Sequence, residues 1–152
     1  MGAAEEELIE RFESGPDQVA AAVAGCTAED LRKSDGEGWS VHDVLVHLSD
    51  AEAVRATRIR LILAEERPNL FEFDEGRWRE RLAYGERNPL QALESYRQAV
   101  RGTADLLAAM PTAAWERTGV HAVDGEVSVR ALIERGIRHA EDHTGQIARV
   151  LA

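Results

Sequence analysis

The chain has 152 residues, a formal net charge of -10 and one cysteine, Cys26. That length suits a single domain, residues 1–152, with a buried core, and no run approaches the roughly 20 apolar residues of a membrane span. The 18 basic residues are interspersed with 28 acidic ones, which argues against nucleic acid as a partner, and a lone cysteine excludes an intrachain disulfide and leaves histidine and carboxylate as the available metal ligands.

In chain order, the acidic start MGAAEEELIERF is unlike a targeting peptide, so a cytoplasmic protein without membrane contact is expected. Leu8, Ile9 and Phe12 begin a helical stripe, Pro16 is expected to interrupt it, and Val19, Ala20 and Val23 resume it. Thr27 and Asp30 form an acidic capping box for a short helix at AEDLRK, and SDGEG breaks the chain. Ser40 and Asp43 repeat the box, and nothing stops the next helix from Val41 to about Glu66, a length of about 39 Å at 1.5 Å per residue.

The stretch from Pro68 reads as a long connection with one short helix near residues 74 to 84, holding Phe71, Phe73, Trp78 and Tyr84. Asn88 as N-cap and Pro89 in the first turn open another long helix that ends before Pro111. Asp124-Gly125 marks a small hairpin in VHAVDGEVS, and Ser128 caps a final helix from Val129 to about Val150. Four long amphipathic segments with no convincing run of strands predict an all-α fold. The expected form is an antiparallel four-helix bundle with a long connection between its second and third helices.

Chemistry concentrates in the histidines. His139 and His143, at i and i+4 on the last helix, lie roughly 40° apart around the axis and one turn apart along it, close enough to share one cation. His143 falls in the apolar seam Val129, Ile133, Gly136, Ala140, Ile147, and His139 lies on its flank. A third imidazole comes from His47, on the stripe Val44, His47, Ala51, Val54. Each alone also reads as a core or surface histidine. Together, two inward faces bearing three imidazoles predict a divalent transition metal, with coordination positions left open for water or substrate. Small residues nearby, Ala51, Gly136, Ala140 and Gly145, are expected to make room for metal and substrate.

These same residues carry a family resemblance. GWSVHDVLVHLSDAE is similar to the W-S-x-x-x-V-L-x-H-L pattern of the DinB/YfiT-like metalloenzyme family, and HAEDHTGQI is similar to its H-x3-H-x-x-Q-I ending. The resemblance spans most of the chain. It implies a four-helix bundle with His47, His139 and His143 as metal ligands. It also implies activity of the kind found in characterised relatives, transferases and isomerases that use low-molecular-weight thiols. A Zn, Ni or Fe ion lowers the pKa of a bound thiol or water, so the leading expectation is thiol-dependent S-transfer to a small electrophilic substrate. Metal-water hydrolysis is the alternative. A non-catalytic, metal-stabilised stress-response bundle and a metal-free structural dimer are further ones.

Other candidates keep two readings each. Asp50, one turn after His47, is a fourth ligand, general base or hydrogen-bond acceptor, or else a surface carboxylate in a salt bridge. Arg58 binds a substrate carboxylate through its planar fork, or pairs with an interior acid. His121 covers the open face of the site, or is simply solvated. His42, about 140° around the helix from His47, should miss the cation. Trp39 is expected to anchor the helix start, and Gln146 to orient a ligand by hydrogen bonding. The connection's aromatics suggest a homodimer surface. No phosphate-cradling glycine loop, nucleophile elbow or CxxC pair is present, which disfavours nucleotide and dithiol chemistry.

Overall fold

Local capping decides where the helices begin. The computed structural model describes residues 1–152. Its helices are α1 (Ala3–Ala22), α2 (Ala28–Leu31), α3 (Val41–Ala64), α4 (Glu75–Arg81), α5 (Pro89–Ala108) and α6 (Val129–Leu151). The capping box predicted at Ser40 and Asp43 is present, each residue accepting the other's backbone N–H, at 3.0 and 3.1 Å. Thr27 and Asp30 do the same for α2. Asn88 accepts from Leu90 and Gln91 to start α5, and Ser128 accepts from Ala131 to start α6. Each side chain satisfies a backbone donor that the first helical turn leaves unpaired.

The four long helices form the bundle. α3 packs on α5 and α6, and α1 packs on the same two, so α3 and α6 are neighbours along one side. The core between them includes Phe12, Val19, Leu45, Leu48, Ile59, Leu107, Ile133 and Ile147. The predicted hairpin is present as β2 (Thr118–His121) and β3 (Gly125–Ser128), closed at Gly125, whose φ of 72° suits glycine. A short strand within the long connection, β1 (Asn69–Leu70), adds parallel to β2. Its two residues are too few to show a readable alternation in the sequence. No helix is long and apolar enough to cross a membrane.

Three expectations are corrected. Pro16 does not interrupt α1, which runs through it with Pro16 buried. An interior proline costs about 3 kcal/mol, whereas burying side chains such as Ile9, Phe12 and Val19 returns roughly 1.5–3 kcal/mol each, so packing prevails over local preference.

Gly136 and Ala140 do not open a cavity. A Cβ on Gly136 would meet Phe12 Cε1 at 2.8 Å and Arg55 Cδ at 3.2 Å, and one on Gly15 would meet the Ala140 Cβ at 2.9 Å. These small residues bring α1 and α6 together.

The aromatics of the connection are largely packed on their own chain. Tyr84 is fully buried beside Val46 and Ala92, Phe73 and Trp78 stack with centroids 4.5 Å apart, and only Phe71 is exposed, at 45%. Of the connection's aromatics, Phe71 alone therefore remains an exposed surface.

The connection from residue 65 to 88 folds back over the start of α3, whose residues 41–49 are buried on every side. Polar clamps hold it there. His42 donates from Nε2 to the Tyr84 carbonyl at 2.9 Å, as expected for a histidine turned away from His47. Arg79 donates to Asp43 Oδ2 at 3.1 Å and to the Gly38 carbonyl, while its guanidinium lies 5.0 Å over the Trp39 ring. Arg32 reaches the Gly85 carbonyl at 2.9 Å. This cap carries α4 to the edge of the three-histidine cluster.

Candidate metal centre

His47 is supplied by the buried first half of α3, and His139 and His143 by successive turns of α6. His139 Nε2 lies 3.0 Å from His47 Nε2 and 3.0 Å from His143 Nε2. Ligand nitrogens of all three lie within 4.8 Å of one another. Nitrogens sharing one ion at bond lengths of about 2.0–2.1 Å are themselves about 3 Å apart, so this spacing suits a common cation. The sequence-based expectation that three rings from two helices converge is met geometrically.

Hydrogen bonding shows which face of His143 is free. Gln146 Nε2 donates to Asp35 Oδ2 at 2.8 Å, which turns its carbonyl oxygen toward His143 Nδ1, 2.7 Å away. An amide oxygen only accepts, so Nδ1 carries the proton and Nε2 presents a lone pair to the other two imidazoles. A single shared proton can satisfy only part of this triangle, whereas one cation satisfies all three nitrogens. The donor set therefore fits a divalent transition metal on physical grounds.

Asp35 is held by more than Gln146. Its Oδ1 accepts from the backbone of Glu37 at 2.9 Å and of Trp39 at 3.2 Å. The Gln146 hydrogen bond, followed by these backbone donors, keeps its carboxyl below the usual range and hence ionised. His47 is oriented differently. It is 1% exposed, with the Trp39 ring set edge-on at 5.7 Å, and its Nδ1 is buried without a partner.

Burial, together with neighbouring positive charge, disfavours protonation of two of the rings. His47 is lowered to about 4, chiefly by burial, then by His143, with Asp50 opposing. His139 is lowered to about 2, again by burial first, then by His143, Arg55 and His47. Neutral imidazole is the form that ligates, so both rings are ready at neutral pH.

The remaining candidates occupy distinct places. Asp50 accepts both arms of the Arg87 guanidinium, at 2.7 and 2.8 Å, a bidentate pair that spends its two oxygens. Arg58 lies eleven residues beyond His47, about 16 Å along the helix, where its guanidinium holds the Phe71 carbonyl. His121 sits beside it, Nε2 3.5 Å from Arg58 Nη2, and its Nδ1 accepts from the backbone of Val123 and Asp124 at 3.2 Å. Arg58 and His121 thus meet each other and not the three histidines.

Sequence reasoning missed several participants. Asp35 lay in a stretch read only as a break, and Arg87 gave no periodic signal. Glu75 opens α4, and its Oε1 stands 4.0 Å from His47 Nε2. Glu52 and Arg55 form an ion pair at 2.7 Å within the bundle, Glu52 being 2% exposed. A cleft of about 470 Å³ bounded by Asp35, Glu37, Asp142, Gln146 and Arg149 reaches His143 from the Gln146 side. A larger polar one, about 650 Å³ between Arg32 and Arg79, touches none of the three histidines.

Known proteins resemble this chain at low identity. Two proteins of Oceanobacillus iheyensis, each named "Putative metal-dependent hydrolase", align with the chain. The first is 22% identical over 149 residues, 96% of this chain and 84% of that one, and the second 28% identical over 143 residues, 93% and 82%. The solved structure of YfiT from Bacillus subtilis, described as "a probable metal-dependent hydrolase with an unusual four-helix bundle topology", superposes with a TM-score of 0.92. It covers 99% of this chain and 87% of its own at 22% identity, a match of fold. The sequence pattern of the DinB superfamily matches residues 11–147, a span that takes in all three converging histidines and reaches into each of the four long helices, and the chain belongs to that superfamily.

Proposed function

We propose that the protein is a divalent-metal-dependent hydrolase acting on a small electrophilic substrate, with His47, His139 and His143 as ligands. One observation carries this reading, the meeting of three imidazole Nε2 atoms, two of their separations being 3.0 Å. A bound Zn, Ni or Fe ion would polarise a substrate carbonyl and bring the pKa of water near neutrality. The protein's own residues prepare that chemistry. Burial keeps His47 and His139 unprotonated, Gln146 and Asp35 hold the His143 tautomer, and Trp39 with the α4 cap excludes bulk water from the His47 side.

Hydrolysis takes precedence over thiol transfer because the aligned relatives carry the name of metal-dependent hydrolases and none of them is named for a thiol. The convergence of the three imidazoles supports both readings equally.

Protein purified without chelator or affinity column is analysed for bound metal, then assayed against activated esters and amides with and without added metal. Turnover that disappears with chelator, returns with metal and is absent in His143→Ala supports the proposal. A stoichiometrically loaded protein that leaves esters and amides intact yet conjugates a small thiol to an electrophile would replace hydrolysis with transfer. A protein that takes up no metal would remove both.

A further inference from the structure

Imidazole ligates in its neutral form, so a divalent ion held by the three histidines alone would keep its full charge in a partly buried site unless a carboxylate shares it. Neighbouring acids are largely committed. Asp50 is bidentate to Arg87, Asp35 is held by Gln146 and two backbone amides, and Glu52 is paired with Arg55. Glu75 is different. Its Oε1 is 4.0 Å from His47 Nε2, and no other carboxylate oxygen comes that near a nitrogen of the three histidines. Its side chain is 59% exposed and makes no hydrogen bond or ion pair with Arg or Lys, so rotation toward the cluster breaks nothing.

The position of Glu75 is itself built. Asp74 caps α4 by accepting from Arg77 at 2.8 Å, which frees Glu75 from capping, and Arg79 clamps the same short helix to Asp43 and Gly38 on the α3 side. At 4.0 Å, Glu75 Oε1 is beyond hydrogen-bond range of His47 Nε2, yet near enough for a small side-chain rotation to bring both atoms onto one ion. We propose that Glu75 is a fourth protein donor to the cation, making the centre a three-histidine, one-carboxylate site. This rests on the metal reading above and sharpens it. A hard oxygen donor shifts preference toward ions such as Mn²⁺ and Fe²⁺ relative to Zn²⁺, and a five- or six-coordinate ion keeps a position for substrate.

Full-length protein, Glu75→Gln and Glu80→Gln are titrated with Co²⁺, Mn²⁺ and Zn²⁺, following affinity by calorimetry and the cobalt site by its visible spectrum. Glu80 lies on the same helix and controls for general loss of negative charge. Circular dichroism confirms that each variant is folded. The expected result is a loss of Co²⁺ and Mn²⁺ affinity in Glu75→Gln of roughly 10- to 100-fold, the scale known for residues supporting a metal site, with a smaller loss for Zn²⁺ and a changed cobalt spectrum. Glu80→Gln stays within about twofold of the parent on that scale. Parental affinity and an unaltered spectrum in Glu75→Gln overturn this proposal and leave the three-histidine reading intact. Equal weakening in both variants also overturns it. Failure of the parent to bind any of the three ions overturns both.

Discussion

The two ends of α3 carry similar side chains in opposite states. At the far end, Arg58 gives its guanidinium to the Phe71 carbonyl, His121 takes two backbone N–H groups, and Arg135 is paired with Asp124 at 2.9 Å. Each of these groups has a protein partner, and the result ties the hairpin and the long connection to the bundle. At the near end, three imidazole nitrogens face one another and a free carboxylate stands beside them. Satisfied polar groups build structure, whereas the converging Nε2 atoms have only one another within hydrogen-bond reach. That contrast, more than residue type, separates the candidate centre from its surroundings.

The comparison can be broken most directly at His139. His139→Ala should reduce metal affinity by more than the roughly 100-fold upper range for supporting residues, seen as loss of stoichiometric metal in elemental analysis. Equal metal content in variant and parent would mean that the near end is no centre at all.

Acid gives the next effect. His47 and His139 are depressed below the ordinary value of 6.5, to about 4 and about 2. Between these values the unfolded chain binds more protons than the folded one. Their contribution to stability is therefore complete above pH 6.5 and declines as pH falls through about 4. Melting curves of the metal-free protein should move steadily to lower temperature over that window, and a flat profile would show that the two rings are not buried as described.

Gln146→Ala should weaken metal binding by roughly 10- to 100-fold while leaving the fold intact, because His143 loses the acceptor that sets its tautomer. Competition with a metal-sensitive dye measures this, and an unchanged constant would dismiss the Asp35–Gln146–His143 chain as incidental. The smallest change is expected at the other end. Arg58→Ala should cost about 1 kcal/mol in urea unfolding through the lost Phe71 hydrogen bond, with metal affinity unaltered. Weakened metal binding in that variant would join the two ends functionally.

Much of the fold is legible locally. The start of α3 is written in Ser40 and Asp43, three residues apart, and that of α5 in Asn88 and Pro89. The inward faces of α3 and α6 follow from helical spacing, which is how His47, His139 and His143 are found without coordinates. Pro16 shows the limit, since its local preference is overruled by packing that becomes visible only once α1 has neighbours.

By itself, then, the sequence determined three of the four long helices, α3, α5 and α6, with the hairpin turn and the three imidazoles, because capping and periodicity act over one to three turns, whereas the continuity of α1 through Pro16 came from packing. Tertiary structure alone decided what surrounds them. Asp35 meets Gln146 across 111 residues, Asp50 meets Arg87 across 37, and Glu75 reaches His47 because Arg79 and His42 fasten the connection over α3. Such pairings depend on how distant segments pack, and no spacing along a single helix encodes them.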